Sequence, residues 1–274
     1  ALIAFYSVVA GWIIYYFVKF LTGQNADLGF EKMITTPSVN VGYLLITVVI
    51  TFVILSFRLQ GGLERITKYM MSALLVLMLV LAIHSFTLSG AKDGLAFYLI
   101  PDLSKISGTM IVKAMNQAFF TLSVGMGGMA IFGSYIGKDH SLMGESVRVV
   151  VLDTFVAITA GLIIFPACFT YHVEAGSGPS LIFVTLPNVF NAMPGGQLWG
   201  ALFFVFLFFA ALSTVTAVFE NILACWMDRF GISRGRAVLA NLVLIFLLSL
   251  PCLLGNNLWS GVKALGMGIM DWED

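Results

Sequence analysis

Residues 117–128 read Gln-Ala-Phe-Phe-Thr-Leu-Ser-Val-Gly-Met-Gly-Gly and lie inside an apolar stretch that runs from about 109 to 136. Three glycines within four residues favour local unwinding, because each glycine inside a helix costs about 1 kcal/mol relative to alanine. The stretch is also longer than one membrane crossing needs. The pattern therefore predicts two half-helices joined by unwound backbone at membrane depth, where such backbone lines a cavity or is buried in protein. The alternative is a continuous helix whose small residues allow close packing.

The composition is that of an integral membrane protein. Hydrophobic residues make up 59% of the chain and charged residues only 10%, whereas soluble domains have about a quarter charged. The 14 basic and 14 acidic residues cancel, so nothing favours a nucleic-acid partner. We expect an all-α polytopic helix bundle in a lipid bilayer, forming a single transmembrane domain over residues 1–274. The predicted spans are roughly 1–21, 39–57, 69–88, 109–136, 147–171, 198–227 and 236–254.

Basic residues predict the orientation. The loops after the second, fourth and sixth spans hold eight of them, including every arginine, and the opposite side holds six lysines. Cytoplasmic loops carry the excess of basic residues, so we place the arginine side in the cytoplasm of a multi-pass protein of the cell inner (plasma) membrane. The chain opens inside an apolar pattern without a leading Met and stops at Asp274 without a closing span. This predicts an internal fragment of a longer protein.

Two sets of oxygen-bearing residues lie within predicted spans. Asp153 falls five residues after Arg148, and a carboxylate at this depth costs at least about 2.5 kcal/mol unless it is paired. It is a candidate site residue, or else an interfacial acid paired with Arg148. Ala210, Ser213 and Thr214 share one helical face and offer the oxygen ligands that a hard cation prefers. The alternative is that both hydroxyls bond back to the preceding helical turn.

The loop between the fifth and sixth spans is long and carries an apolar segment, 181–184, bounded by turn residues. Such a segment predicts a re-entrant or capping element that serves as an external lid, or a loop that only packs against the protein.

These motifs together resemble the neurotransmitter:sodium symporters, and in particular their bacterial amino-acid members. Residues 117–127 resemble the family's broken sixth helix, Asp153-Thr154 with 160–166 its seventh, and 208–214 the sodium-binding stretch of its eighth. Residues 62–65 and 100–105 match two of its helix connections. The resemblance covers nearly the whole chain. It implies the inverted-repeat, leucine transporter-like fold, incomplete here, running from the third helix to the start of the tenth, without the first two and last helices.

The resemblance also implies roles for individual residues. Tyr6 would bond the substrate carboxylate and, with Phe120, form the outer gate. Thr121 and Asp153 would serve a first sodium site, and the Ala210 carbonyl with Ser213 and Thr214 a second. Asp228 would be a cytoplasmic gate acid and Asp274 an outer one. The full set of implied substrate-binding residues is Leu2, Tyr6, Phe120, Thr121, Ser123, Gly125, Met126 and Val218.

Departures from the family pattern refine the expected activity. Met126 stands where many bacterial members carry Phe, and a flexible thioether can conform to hydrophobic amino acids of different size. Ala157 stands where chloride-dependent members offer a serine, and Asp153 could supply the negative charge instead. We therefore expect sodium-coupled symport of a small hydrophobic amino acid by alternating access, with sodium as coupling ion, no resident cofactor and no chloride requirement.

Three rival functions compete with this one. A proton-driven amino-acid transporter of a related inverted-repeat family would share the fold. A seven-helix receptor would match the span count, but the glycine-broken fourth span argues against it. An intramembrane enzyme would need a nucleophile–base or metal motif, and no HExxH or paired-aspartate motif is present in the sequence.

Overall fold

The computed structural model describes residues 2–56, 60–124, 133, 137, 141–173, 179–264 and 267–269, with the side chains of 2, 27, 60–67, 105, 263, 264 and 267 left undescribed. The regular structure of the described residues is helical apart from one pair of two-residue strands. Its longer helices are α1 (Leu2–Leu21), α2 (Phe30–Thr35), α3 (Pro37–Ser56), α4 (Gln60–Phe86), α5 (Ala91–Leu99), α6 (Gly108–Thr121), α7 (Leu142–Tyr171), α8 (Leu186–Ala192), α9 (Gly196–Phe230) and α10 (Arg234–Leu254). Short 3₁₀ turns lie at Asn25–Asp27 and Leu103–Lys105, a π-helical turn at Leu181–Thr185, and β1 (Lys263–Ala264) pairs antiparallel with β2 (Met267–Gly268).

Six helices of the described residues are long and apolar enough to cross a membrane: α1, α3, the 68–86 part of α4, α7, α9 and α10. Their bounds lie within a few residues of the predicted spans, except that α4 begins at Gln60 rather than near 69. The remaining predicted span, 109–136, is not described as one helix. Its described part is α6, which has 14 residues and ends at Thr121, too short to cross.

The chain separates into two compact units. The first contains Ala1–Leu74 and Gly176–Asp274, and the second contains Leu75–Ala175. The expectation of a single transmembrane domain over 1–274 stays a prediction.

In the first unit α1 packs against α3, α9 and α10. Three large side chains of α1, Trp12, Tyr16 and Phe20, follow one another at four-residue spacing and are fully buried. That spacing places them on one helical face. Phe20 stacks on Phe204 of α9, with ring centroids 5.5 Å apart. The rings fit because Gly200 of α9 leaves room for Phe20, which a side chain there would overlap.

In the second unit α5 packs closely on α7 through Gly90 and Gly94. A Cβ at Gly94 would lie 2.6 Å from the backbone of Pro166. The amide of Gly90 donates to the hydroxyl of Thr170 at 3.1 Å, and that hydroxyl donates to the Pro166 carbonyl at 2.7 Å. The glycines therefore bring the backbone of α5 and of the residue before it into direct contact with α7 around Pro166.

We predict that Gly94→Ala destabilises the protein by about 1–3 kcal/mol, because the backbone of Pro166 cannot yield as a flexible side chain would. The thermal unfolding temperature of the purified full-length protein measures this. The matched control is Gly42→Ala in α3, where an added Cβ meets nothing within 4 Å and alanine improves helix propensity. Equal unfolding temperatures for the two variants would contradict the close α5–α7 contact.

Candidate functional site

Helix α6 stops where its sequence loses helix-forming residues. It is capped at its start by Ser107, whose hydroxyl accepts a hydrogen bond from the Met110 amide at 3.2 Å. It ends in a Schellman arrangement, in which the amide of Ser123 donates to the Phe120 carbonyl and the amide of Val124 donates to the Phe119 carbonyl, both at 3.0 Å. The described helix therefore ends at Thr121, within the stretch where the sequence predicts an interruption. Gly125, Met126, Gly127 and Gly128 lie outside the described residues.

Ser123 takes the position at which such a helix stop usually has glycine. Its φ is +53°, in the left-handed region, where a residue with a Cβ is less stable by about 1–2 kcal/mol. The serine is therefore held in a strained conformation beside a predicted binding site, a pattern that points to a functional requirement.

We predict that Ser123→Gly raises the unfolding temperature slightly, because glycine removes about 1 kcal/mol of backbone strain, whereas Ser123→Val lowers it, because a β-branched residue fits this conformation worst. Scanning the two full-length variants beside the wild type tests the pair. If valine were tolerated as well as glycine, the helix would not stop in this conformation.

Thr121 and Asp153 come together in the second unit. The Thr121 hydroxyl, on the last residue of α6, lies 3.0 and 3.3 Å from the two carboxylate oxygens of Asp153 on α7. Arg148 instead donates to Glu145 at 2.6 Å, one turn away on the surface of α7. The sequence alternative, in which Arg148 neutralises Asp153, is therefore not the arrangement found. A hydroxyl and a carboxylate converge next to the helix stop, which is a suitable donor set for a hard cation.

Ala157 lies one turn beyond Asp153 on the same face of α7. The methyl group of Ala157 cannot bind an anion. The negative charge on this face of α7 comes from the carboxylate of Asp153.

The second oxygen set lies on α9 in the first unit. The hydroxyls of Ser213 and Thr214 both donate to the Ala210 carbonyl, at 2.8 and 3.2 Å. This is the back-bonding that the sequence left open as an alternative. The same bonds gather three oxygens around one carbonyl, and each hydroxyl oxygen keeps lone pairs for a ligand. Ser213 is half-buried and Thr214 is exposed, so the group is accessible.

The other predicted site residues are placed as follows. Tyr6 on α1 and Val218 on α9 are half-buried in the first unit, and Phe120 is 37% exposed in the second. Asp228 is exposed in the last turn of α9, where the helix dipole disfavours a carboxylate. Asp228 therefore does not stabilise its helix. Its role as a gate acid stays a prediction. The Leu2 side chain and Asp274 lie outside the described residues.

Comparison with known proteins assigns the family. The sequence profile of the sodium:neurotransmitter symporter family matches residues 25–260. The chain belongs to this family. It is 34% identical over 285 residues to an uncharacterized sodium-dependent transporter of Haemophilus influenzae, covering 100% of the chain and 62% of that protein. It is 33% identical to the uncharacterized sodium-dependent transporter YhdH of Bacillus subtilis, covering 99% and 62%.

The symporter fold is confirmed by a solved structure. The crystal structure of MhsT in complex with L-phenylalanine matches with a TM-score of 0.90 and 38% identity, covering 99% of this chain and 64% of MhsT. The chain thus spans about six-tenths of the length of these three relatives. With six apolar helices in its described part, this member of the family is a multi-pass membrane protein.

An ion-pair cluster that the sequence did not predict joins α3, α9 and α10. Arg234 at the start of α10 donates from Nη1 and Nη2 to both carboxylate oxygens of Glu220 on α9, at 2.8 and 2.7 Å. Its Nε and Nη2 also donate to the Leu55 carbonyl in the last turn of α3, at 3.1 and 3.0 Å. The side chains of Arg234 and Glu220 are 15% and 23% exposed. One guanidinium therefore joins three helices. The available signal was a lone glutamate within an apolar helix.

Proposed function

We propose that the full-length protein is a symporter that moves a small hydrophobic amino acid together with sodium across the cell inner (plasma) membrane. The observation that carries the proposal is the contact between Thr121 and the Asp153 carboxylate beside the interrupted helix α6. A carboxylate at membrane depth without a cationic partner is unfavourable, and a bound sodium ion would compensate it. The three oxygens at Ala210 supply a second candidate position for sodium.

Relatives support an amino acid as the solute. MhsT was crystallised with L-phenylalanine. The sodium-dependent nutrient amino acid transporter 1 of Drosophila melanogaster is 31% identical over 198 residues, covering 67% of this chain and 31% of that protein. We propose that Tyr6 and Phe120 close over the solute and that Ser123, Gly125, Met126, Leu2 and Val218 contact it. The solute undergoes no covalent chemistry in this proposal.

The mechanism is alternating access driven by differential binding. Sodium and solute must favour one conformation over another, because a ligand with equal affinity for both states shifts nothing. Sodium at Thr121 and Asp153 would fix the end of α6, which orders the neighbouring backbone for the amino acid. Asp228 and Asp274 are proposed as gate acids. Asp153 supplies the negative charge at the first sodium position, so chloride is not required.

The test is uptake by the full-length protein in proteoliposomes. Labelled L-phenylalanine and L-leucine are offered with an inward sodium gradient, with a proton gradient in potassium buffer, and with sodium gluconate in place of chloride. We expect accumulation with sodium in either anion and none with protons alone. Uptake driven by protons in the absence of sodium would instead assign a proton-coupled transporter.

A separate prediction concerns the second proposed sodium position, at Ser213 and Thr214. The double variant Ser213→Ala/Thr214→Val should raise the sodium concentration for half-maximal uptake by about tenfold or more, since it removes two oxygen ligands, each contributing about 1 kcal/mol. Thr216→Val is the matched control, because its buried hydroxyl bonds back to Leu212 in the same helix at 2.7 Å. A similar sodium shift in both variants would show that the hydroxyls act only on the helix.

A further inference from the structure

Helix α9 carries oxygen-bearing side chains at a spacing of seven residues. Thr214, Asn221 and Asp228 follow one another at this interval. Seven residues make nearly two helical turns, so the three side chains lie on one side of the helix, each about 10 Å from the next. We call this side the polar face of α9. Thr214 belongs to the second candidate sodium position, Asp228 is the proposed gate acid, and Asn221 lies halfway between them.

The polar face is turned away from the side of α9 that packs in the first unit. Leu212, Phe219 and Leu223 occupy the opposite side of the helix and are at most 3% exposed. In this unit α9 packs against α1, α3 and α10. Asn221 is half-buried, and within the described residues its side-chain amide has no hydrogen-bond partner. The packing of α9 in the first unit therefore does not use this amide.

Lipid does not suit the polar face. Polar side chains within a spanning helix face the bundle interior or a water-filled cavity, because hydrocarbon offers them no partner. A face of α10 in the same unit shows the contrast, since its exposed residues are all apolar: Leu239, Val243 and Leu247 are 64%, 49% and 55% exposed. The polar face of α9 is therefore suited to water. It runs from the candidate sodium position to the end of α9 that carries Asp228.

The chemistry of asparagine suits a ligand that binds an ion only briefly. Its side-chain oxygen is a ligand for hard cations, but it carries no charge. An ion moves along a pathway when each position is strong enough to accept it and weak enough to release it. Because the three side chains are about 10 Å apart, a sodium ion contacts one of them at a time and keeps water as its other ligands.

We propose that the polar face of α9 lines the route by which sodium leaves the protein, and that Asn221 is the halfway ligand on this route. The ion contacts Asn221 after it leaves Ser213 and Thr214 and before it reaches Asp228. Without Asn221 it would have to cover about 20 Å along α9 with water alone. Asn221 therefore acts on the rate of sodium release and not on the affinity of the loaded site. This proposal rests on the proposed transport function.

Maximal uptake rate and sodium binding together test the role of Asn221 in full-length protein. Asn221→Leu keeps the size of the side chain and removes its oxygen, whereas Asn221→Asp keeps an oxygen in the same place. In Asn221→Leu we expect the maximal rate of sodium-driven L-phenylalanine uptake to fall about tenfold. The sodium concentration for half-maximal thermal stabilisation should stay within about twofold of wild type. Asn221→Asp should retain at least about half of the rate.

Thr216→Val is the matched control for these variants. It removes a polar group from the opposite side of α9, where the Thr216 hydroxyl is 3% exposed and bonds back to the helix, and it should keep the wild-type rate. A rate above half of wild type in Asn221→Leu, or an equal loss of rate in Asn221→Asp, overturns the role of Asn221. A shift of about tenfold in sodium binding in Asn221→Leu also overturns it, because the residue would then belong to the loaded site.

Thiol labelling tests the route without measuring uptake. Cys225 lies one turn after Asn221 on the polar face and is exposed. A thiol reacts as the thiolate, which forms in water and is disfavoured in apolar surroundings. Full-length proteins that keep one cysteine each, Cys225 or Asn221→Cys, are treated with a permanently charged methanethiosulfonate in membrane fragments that expose both faces. The control is Val243→Cys on the apolar face of α10, nine residues from the end of its helix as Asn221 is from the end of α9.

We expect both positions on the polar face to be labelled at least about tenfold faster than Val243→Cys. Labelling of Asn221→Cys as slow as that of Val243→Cys overturns the route, because no water would reach this part of α9. If the wild-type protein shows no sodium-driven uptake, the transport proposal fails, and the labelling still decides whether water lines the polar face.

Discussion

Asp153→Asn should raise the sodium concentration for half-maximal uptake by about 10- to 100-fold, because hydrogen bonds and ion contacts to a charged group are worth about 1.5–3 kcal/mol. Asparagine has nearly the same shape, and its side-chain oxygen can still accept the bond from Thr121, so the variant removes charge while keeping the local contact. The measurement is uptake of labelled L-phenylalanine by full-length protein across a sodium series.

Glu145→Gln on the same helix is the control, since Glu145 pairs with Arg148 at the surface, where the Arg148 side chain is 71% exposed. Such a pair contributes little. Asp153→Asn should also be tested in gluconate and in chloride, because removing the carboxylate charge opens a place for an anion. Uptake with unchanged sodium affinity in Asp153→Asn would rule out a sodium role for this carboxylate.

The second large effect is expected at the cluster on α3, α9 and α10. Arg234→Gln should reduce the free energy of unfolding by about 2–4 kcal/mol, slightly less than the loss for a fully buried pair. The substitution removes two charge-assisted bonds to Glu220 and two bonds to the Leu55 carbonyl at once. Arg234→Lys should restore only part of the loss, because lysine keeps the charge but lacks the planar fork.

Thermal unfolding of full-length protein measures this prediction. Arg148→Gln is the matched control, because it removes an arginine from an exposed pair and should change stability by less than about 1 kcal/mol. An unfolding temperature for Arg234→Gln within error of Arg148→Gln would show that the cluster does not hold the three helices together.

The membrane helices were predictable because a spanning helix needs a run of about 20 apolar residues, and such runs can be counted in the sequence. The ends of the helices were harder to predict from the sequence. Helix α4 starts at Gln60 because its first turns are polar but still helical, which hydropathy cannot show. The interruption after Thr121 was predictable from three nearby glycines, but the left-handed conformation falls on Ser123, a residue type that seldom signals it.

The candidate site was only partly accessible to sequence reasoning. Asp153 stood out as an acid within an apolar run, whereas its contact with Thr121, 32 residues away, depends on how α6 and α7 pack. For Ser213 and Thr214 the ligand and back-bonding interpretations use the same atoms, so no pattern could separate them. Arg234 reaches a carbonyl 179 residues away, which has no local signature. The hydroxyl of Tyr16 donates to the carbonyl of Phe183, a bond that spans 167 residues and was missed for the same reason.

The surroundings of Trp12 make this side chain a built-in optical reporter. Its indole N–H donates to Asn40 at 2.7 Å, its ring meets Phe30 and Phe183 edge-on, and only 1% of it is exposed. Water that entered between Phe183 and α1 would change the surroundings of this indole. The protein has five tryptophans, so in a variant whose other four are replaced by phenylalanine the fluorescence of Trp12 would shift to longer wavelength, and the packing around α1 can be followed in real time without attaching a dye.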